Sequence, residues 1–315
     1  MSLFSGNTHN YGQHEYNFTE SKKESGKSYT VPNKLLTEKQ YKDHLEGKKG
    51  LGVIPINKEN KCKFIAIDID VYDFNLNKYI EAIERNDFPF VPFKSKSGGL
   101  HFFIFLKELE DVKKVKDLIQ KLITYLGIDI LIKNRLNKMI EIFPKQIKLQ
   151  KGAIGNWINL PYYNYEDTRQ YALRNGKKLK FTDALVYCKE KLTTINDLKS
   201  LVSDIPFQDG PPCLQSIYLL NPIGENEGRN NYLFSFAVYF KKVDENFFEQ
   251  KVFEINSSLQ VPLSTNELEK TILQSIRKKI IFTNVMNIHV LIFVIKVYVK
   301  QEILELEKRV VIFQV

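Results

Sequence analysis

Residues 63–70 read KFIAIDID, and the alternation in this stretch decides the fold class. Successive side chains of an extended chain point to opposite faces. Ile65, Ile67 and Ile69 therefore share one face, and Phe64, Ala66, Asp68 and Asp70 share the other. The stretch is predicted to be a strand whose second face ends in two carboxylates projecting together. Outward from it, LHFFIFL at 100–106 and MIEIF at 139–143 have the β-branched and aromatic character of two further strands. Helical spacing fills the gaps. Leu76, Tyr79, Ile80 and Ile83 fall on one face of NLNKYIEAIERN, and Val112, Val115, Ile119, Leu122 and Leu126 on one face of DVKKVKDLIQKLITYLG, with Gly127 at the helix end. Short apolar runs alternating with amphipathic stretches are the pattern of a mixed α/β domain.

The chain has 315 residues, long enough for two domains. Hydrophobic residues are 43% and aromatics 12%, enough for a packed core. Net charge is +9 with a pI near 9.1, which favours a polyanionic partner through counterion release. The three cysteines, Cys62, Cys188 and Cys213, show no C-x-x-C spacing, so neither a disulfide framework nor a complete structural zinc site is expected. The start, MSLFSGNTHNYGQHEYNF, lacks a cationic segment before an apolar one, so a cytoplasmic, intracellular protein is expected. Ile280 to Ile295 is uncharged but spans 16 residues and contains Asn284, Asn287 and His289, too short and polar for a membrane span.

Residues 1–34 are polar without hydrophobic periodicity and read as a flexible N-terminal arm. A catalytic domain follows over 35–200. NDLKSLVSDIPFQDGPPC, beginning at Asn196, gathers Asp, Gly and Pro and reads as a linker into a helical module over 201–279. In that module Arg229, Asn230 and Asn231 are predicted to start a helix that buries Leu233, Phe236, Ala237 and Phe240. Residues 280–315 form an atypical tail.

Two carboxylates on one strand face repel each other and lose solvation when buried, so either a cation or a wet strand end justifies Asp68 and Asp70. FKSKSGGLHFFIF sets Ser97, Gly98 and Gly99 before His101. Such a loop exposes backbone N–H groups and an imidazole at one point and suits a triphosphate, although Ser-Gly-Gly is also a common hairpin turn. Glu141 interrupts the apolar KMIEIF, as a third metal ligand would, or as a glutamate on an edge strand facing water.

IAIDID, SKSGGLHFFIF, EIFPKQ and GAIGNWINLPYY occur in the order that resembles the archaeo-eukaryotic primase superfamily, above all the primase-polymerase domains of phages and TOTE conflict systems. HLEGKKGLGVIPI resembles their lead-in segment. The similarity spans about residues 40–195. The resemblance implies an α+β fold, an N-terminal α/β unit packed on an RRM-like palm and followed by a small helical domain. It assigns Asp68, Asp70 and Glu141 as catalytic, metal-holding acids, and Ser97, Gly98, Gly99 and His101 as the nucleotide motif. Two Mg²⁺ or Mn²⁺ ions, suited to carboxylate oxygens, are implied, with nucleoside triphosphates as substrates and a single-stranded DNA template as partner. Lys145 is a candidate for neutralising the triphosphate or an ordinary exposed lysine. Asn156, Trp157 and Asn159 either support sugar and template or serve packing. RQYALRNGKKLKF either tracks nucleic-acid backbone or is a solvated charged loop.

The expected activity is that of a DNA primase-polymerase, a nucleotidyltransferase that makes or extends short primers. The rivals are a repair-type polymerase or terminal transferase without de novo priming, and a non-catalytic DNA-binding module. No G-x-x-x-x-G-K-[ST] occurs, so a separate replicative helicase is expected. Relatives of this kind continue into a cysteine-bearing, zinc-finger-like segment, whereas the tail after Lys279 has no cysteine. Back-translated from the third base of each codon from Ile280, with T at ambiguous pyrimidines, it reads YFYKCNEYPCINFCNKSICKTRNF, a C-x4-C-x3-C-x4-C spacing with the look of a zinc site. The tail is therefore expected to be a frameshifted zinc-binding end, and the chain as written is expected to bind no zinc there.

Overall fold

A computed structural model describes residues 2–15, 27–69, 77–96, 98–128, 140–207, 210–220 and 228–278. Asp70, Ser97, Leu76 and the whole 280–315 tail lie outside the described residues. The chain forms two compact units, Met1–Thr124 with Ile128–Asp204, and Tyr125–Gly127 with Ile205–Val315.

The first unit holds two four-stranded sheets. Its elements are β1 (Tyr11–His14), β2 (Ser28–Val31), α1 (Glu38–Leu45), β3 (Gly50–Val53), β4 (Lys61–Ile69), α2 (Asn77–Arg85), β5 (Val91–Lys94), β6 (Leu100–Asp111), α3 (Val112–Leu126), β7 (Glu141–Phe143) and β8 (Ile158–Asn159). A hairpin of β9 (Leu173–Arg174) and β10 (Lys177–Lys178) precedes α4 (Phe181–Glu190) and α5 (Ile195–Ser203). One sheet has the order β2-β1-β3-β8 and the other β5-β6-β4-β7. In the second, every pairing is antiparallel and chain order runs β-α-β-β-α-β, the RRM-like arrangement expected of the palm.

Both faces of β4 are buried. Ile65, Ile67 and Ile69 are at most 1% exposed, and the apolar stripes of α2 and α3 are buried as well. Phe64 and Ala66, with Val91, Phe93, Phe103, Phe105 and Phe143, join Tyr11, Leu51, Val53 and Ile158 of the other sheet in one core cluster, so the two sheets face each other. Phe4 wedges into this layer, its ring edge-on to Phe64, Phe103 and Phe105 at 5.2–5.6 Å.

Two sequence expectations are corrected. Residues 1–34 are not an arm where described: β1 lies between β2 and β3, and Tyr11 is 2% exposed. A four-residue strand offers too short an alternation to read. Its Gly12 is matched to a distant residue, because a Cβ at Gly12 or Gly52 would come within 2.2 Å of the Trp157 ring. Trp157 thus packs on a glycine floor across β1 and β3. The linker expected from Asn196 instead begins as α5. Thr194 and Asp197 cap it reciprocally, Thr194 Oγ1 accepting from the Asp197 N–H at 3.1 Å and Asp197 Oδ2 from the Thr194 N–H at 2.8 Å. Leu198 is fully buried.

His44 on α1 is fully buried and ties three segments together. Its Nδ1 accepts from the Leu51 N–H, and its Nε2–H donates to the Pro161 carbonyl, both at 3.0 Å. Burial pushes its pKa down to about 4, so the native state needs the neutral ring. The unfolded chain binds this proton near pH 6.5 and the folded chain does not, so stability falls with pH through this window. The loss reaches about 3 kcal/mol by pH 4 and then levels off. Urea unfolding between pH 7.5 and 4 measures it. His44→Gln starts less stable, and its profile is expected to be flatter by that amount; an equal slope in both proteins refutes the assignment.

The second unit is helical. Its elements are α6 (Pro212–Leu220), α7 (Arg229–Val243), α8 (Phe248–Ser257) and α9 (Thr265–Leu268), which continues through a π-helical stretch, Glu269–Leu273, into α10 (Gln274–Lys278). As the spacing predicts, α7 starts at Arg229 and buries Leu233, Phe236, Ala237 and Phe240. The Phe207 ring meets Tyr218, Phe236, Tyr239 and Phe240 at 5.2–5.7 Å. The Asn256 side chain brackets the turn into α9, donating to the Leu263 carbonyl at 2.9 Å and accepting from its N–H at 2.8 Å. Among the described residues no helix is long and apolar enough to cross a membrane.

Candidate active site

Register builds the site. Asp68 on β4 is opposite His101 on β6 and Glu141 on β7, and His101 is in turn opposite Phe93 on β5. Directly opposed residues of antiparallel strands project to the same face. The row Phe93, His101, Asp68, Glu141 is therefore the next layer along the face that carries Val91, Phe103, Ala66 and Phe143. The acids stand where the inter-sheet core gives way to polar groups.

Asp68 is 20% exposed in its side chain and His101 11%. His101 Nε2 lies 3.0 Å from Asp68 Oδ1. The approach lacks hydrogen-bond geometry, and Oδ1 is buried without a hydrogen-bond partner. An orphaned carboxylate oxygen is costly in a folded protein and marks a position made for another group. With the Glu141 carboxylate on the adjacent strand, the donors are hard oxygens, which fit Mg²⁺ or Mn²⁺ better than zinc. Among the described residues no three His, Cys, Asp or Glu side chains cluster tightly enough to hold an ion by themselves.

Glu141 opens β7 and is half-exposed; Lys145 Nζ reaches its Oε1 at 2.7 Å and sits 5.1 Å from the Phe143 ring centroid. Lys145, expected at the triphosphate, is therefore paired with the third acid. Gly98 and Gly99 close the β5–β6 hairpin. Gly98 has φ +97°, the Ser95 N–H donates to the Gly99 carbonyl at 2.9 Å, and the Gly98 N–H donates to the Ser95 carbonyl at 3.1 Å. The positive φ is the conformational reason for glycine at that position.

GNWINLP meets EIFPKQ through a residue the sequence reading passed over. Gln146 Nε2 donates to Asn156 Oδ1 at 2.5 Å, while Gln146 Oε1 and Asn159 Oδ1 are buried without hydrogen bonds. Trp157 serves packing, as its glycine floor requires. Two cations of the 169–181 stretch, Arg174 and Lys178, are engaged within the chain. Arg174 pairs with Glu190 at 2.9 Å and lies over the Tyr187 ring at 4.6 Å, and Lys178 lies over Tyr171 at 4.7 Å and donates to the Thr168 carbonyl.

An RRM-like palm bearing Asp68 and Glu141 beside a glycine hairpin, in a chain that continues into a helical module, fits a primase-type nucleotidyltransferase class. The chain belongs to the archaeo-eukaryotic primase family: residues 6–192 match the Archaeo-Eukaryotic Primase domain of the TOTE conflict system. Residues 217–279 match the domain called Primase C terminal 1. No curated protein matches the chain.

Proposed function

We propose that the chain is a DNA primase-polymerase, making or extending short primers on single-stranded DNA from nucleoside triphosphates. The observation that carries this reading is the cross-strand row of His101, Asp68 and Glu141, with the buried Asp68 Oδ1 lacking a hydrogen bond. Asp68, Asp70 and Glu141 would hold the divalent ions. When bound, Mg²⁺ or Mn²⁺ lowers the pKa of the attacking 3′-hydroxyl and stabilises charge on the leaving pyrophosphate. The hairpin that carries Ser97, Gly98 and Gly99 would take the phosphates, and His101 would orient the nucleotide beside Asp68. Lys145, which pairs with Glu141, would neutralise charge on the anionic substrate. The Primase C terminal 1 segment supports the priming reading over repair, and strand separation falls to a separate helicase.

The test is incorporation of labelled nucleotides on unprimed circular single strands and on primed templates, with and without Mn²⁺. Metal-dependent products on unprimed circles are expected. Products confined to primed templates would replace priming by end extension. Salt-sensitive DNA binding with no incorporation on either template would replace the enzyme by a binding module.

A further inference from the structure

Glu84 on α2, Arg174 on β9, Tyr187 on α4 and Asp204 at the end of α5 line one cleft of about 590 Å³ in the first unit. The cleft carries five carboxylates against two cations. Arg174 pairs with Glu190 at 2.9 Å, and Lys191 with Asp87 at 2.5 Å. That leaves Glu84, Asp197 and Asp204, and among the described residues none of these three stands in an ion pair. Glu84 accepts from the Asn175 N–H at 2.6 Å, and Asp197 caps α5. A chain of net charge +9 thus holds a cleft that is itself negative. Charges more than about 10 Å away are screened at ordinary ionic strength, so the carboxylates of the cleft decide what it attracts.

The same cleft holds an unpartnered phenol. Tyr187 is 2% exposed, and among the described residues its hydroxyl has no hydrogen bond. A buried tyrosine hydroxyl normally has one. The Arg174 guanidinium covers the ring at 4.6 Å. Burial first, and then the Glu84 and Asp87 charges, push the Tyr187 pKa up to about 12, so the hydroxyl stays neutral beside those carboxylates and keeps lone pairs for a donor.

Among the described residues no three His, Cys, Asp or Glu side chains could share a metal ion, so the acids of the cleft are spread out rather than gathered. Separated carboxylates match a cation whose charges are separated too. Leu192 and Leu201 also line the cleft, and apolar walls suit methylene spacers between such charges. We propose that this cleft binds a linear aliphatic triamine of the spermidine type, its ammonium groups meeting Glu84, Asp197 and Asp204 and one of them donating to the Tyr187 hydroxyl. The site stands independently of the nucleotidyl-transfer reading.

The experiment titrates spermidine into the full-length protein by calorimetry, without nucleic acid or divalent ions, and repeats it with MgCl₂ and with a tetralysine peptide. Wild type, Tyr187→Phe, Asp204→Asn and Glu38→Gln are compared, Glu38 being an exposed acid of α1 outside the cleft. Tyr187→Phe should melt at the wild-type temperature, because its hydroxyl has no bond to lose, and bind spermidine about fivefold more weakly. Asp204→Asn should weaken binding about threefold, and Glu38→Gln should leave it unchanged. Raising salt from about 50 to about 200 mM should weaken binding several-fold. No heat from spermidine, a folded Tyr187→Phe that binds like wild type, or Glu38→Gln losing as much as Asp204→Asn would each overturn the proposal, the last by showing a diffuse surface field. Tighter binding of Mg²⁺ or of tetralysine, with the same losses in the cleft variants, would replace the triamine by a metal ion or a basic peptide.

Discussion

Asp68→Asn is expected to reduce nucleotide incorporation on the order of a thousandfold or more, while the chain stays folded and gains slightly in stability. The substitution keeps the shape of the side chain and removes its charge. In the ion-free protein that charge faces the Glu141 carboxylate across β4 and β7, and its Oδ1 is buried without a hydrogen bond. Like charges directly opposed across strands destabilise, so neutralising one should contribute roughly 0.5–1 kcal/mol. Activity and stability then move in opposite directions, which a merely structural aspartate would not produce. Labelled-nucleotide extension and urea unfolding without divalent ions measure the two. Retained incorporation, or a stability loss above about 2 kcal/mol, would remove Asp68 from the site.

Phe103→Ala should be the most damaging single change to the fold, costing about 3–5 kcal/mol. Phe103 is fully buried on β6, two residues from His101, between Ala66 and Val91 in register. Its ring stacks on Phe105 at 5.9 Å and meets Phe93 edge-on at 5.2 Å and Phe4 at 5.6 Å. Truncation removes the centre of the layer between the sheets and opens a cavity beneath the His101–Asp68 row, which only a shift of both sheets could fill. For a unit of this size the melting temperature should fall by roughly 2–4 °C per kcal/mol. Thermal unfolding followed by circular dichroism checks it. A cost under about 1 kcal/mol would mean that the facing sheets do not share this core.

Much of this was legible in the chain because the signals are local. KFIAIDI states its own strand and faces, and the 3.6-residue spacing of Val112 to Leu126 and of Leu233 to Phe240 states two helices, all observed. The Thr194–Asp197 cap was legible too, but the nearby Asp, Gly and Pro residues outweighed it. Motif order placed the chain in its family, since four segments in sequence are more specific than any one.

By itself, then, the sequence determined the α+β class, the palm strands, the helical module and the acids and glycines that are proposed to carry the chemistry. Only tertiary structure decided that Asp68 stands between His101 and Glu141, that Lys145 pairs with Glu141, that Trp157 lies on Gly12 and Gly52, and that β1 belongs to the core. The reason is range. Periodicity and caps are written within one turn or strand, whereas register and side-chain pairing join residues tens of positions apart, and no local pattern encodes which row will meet which.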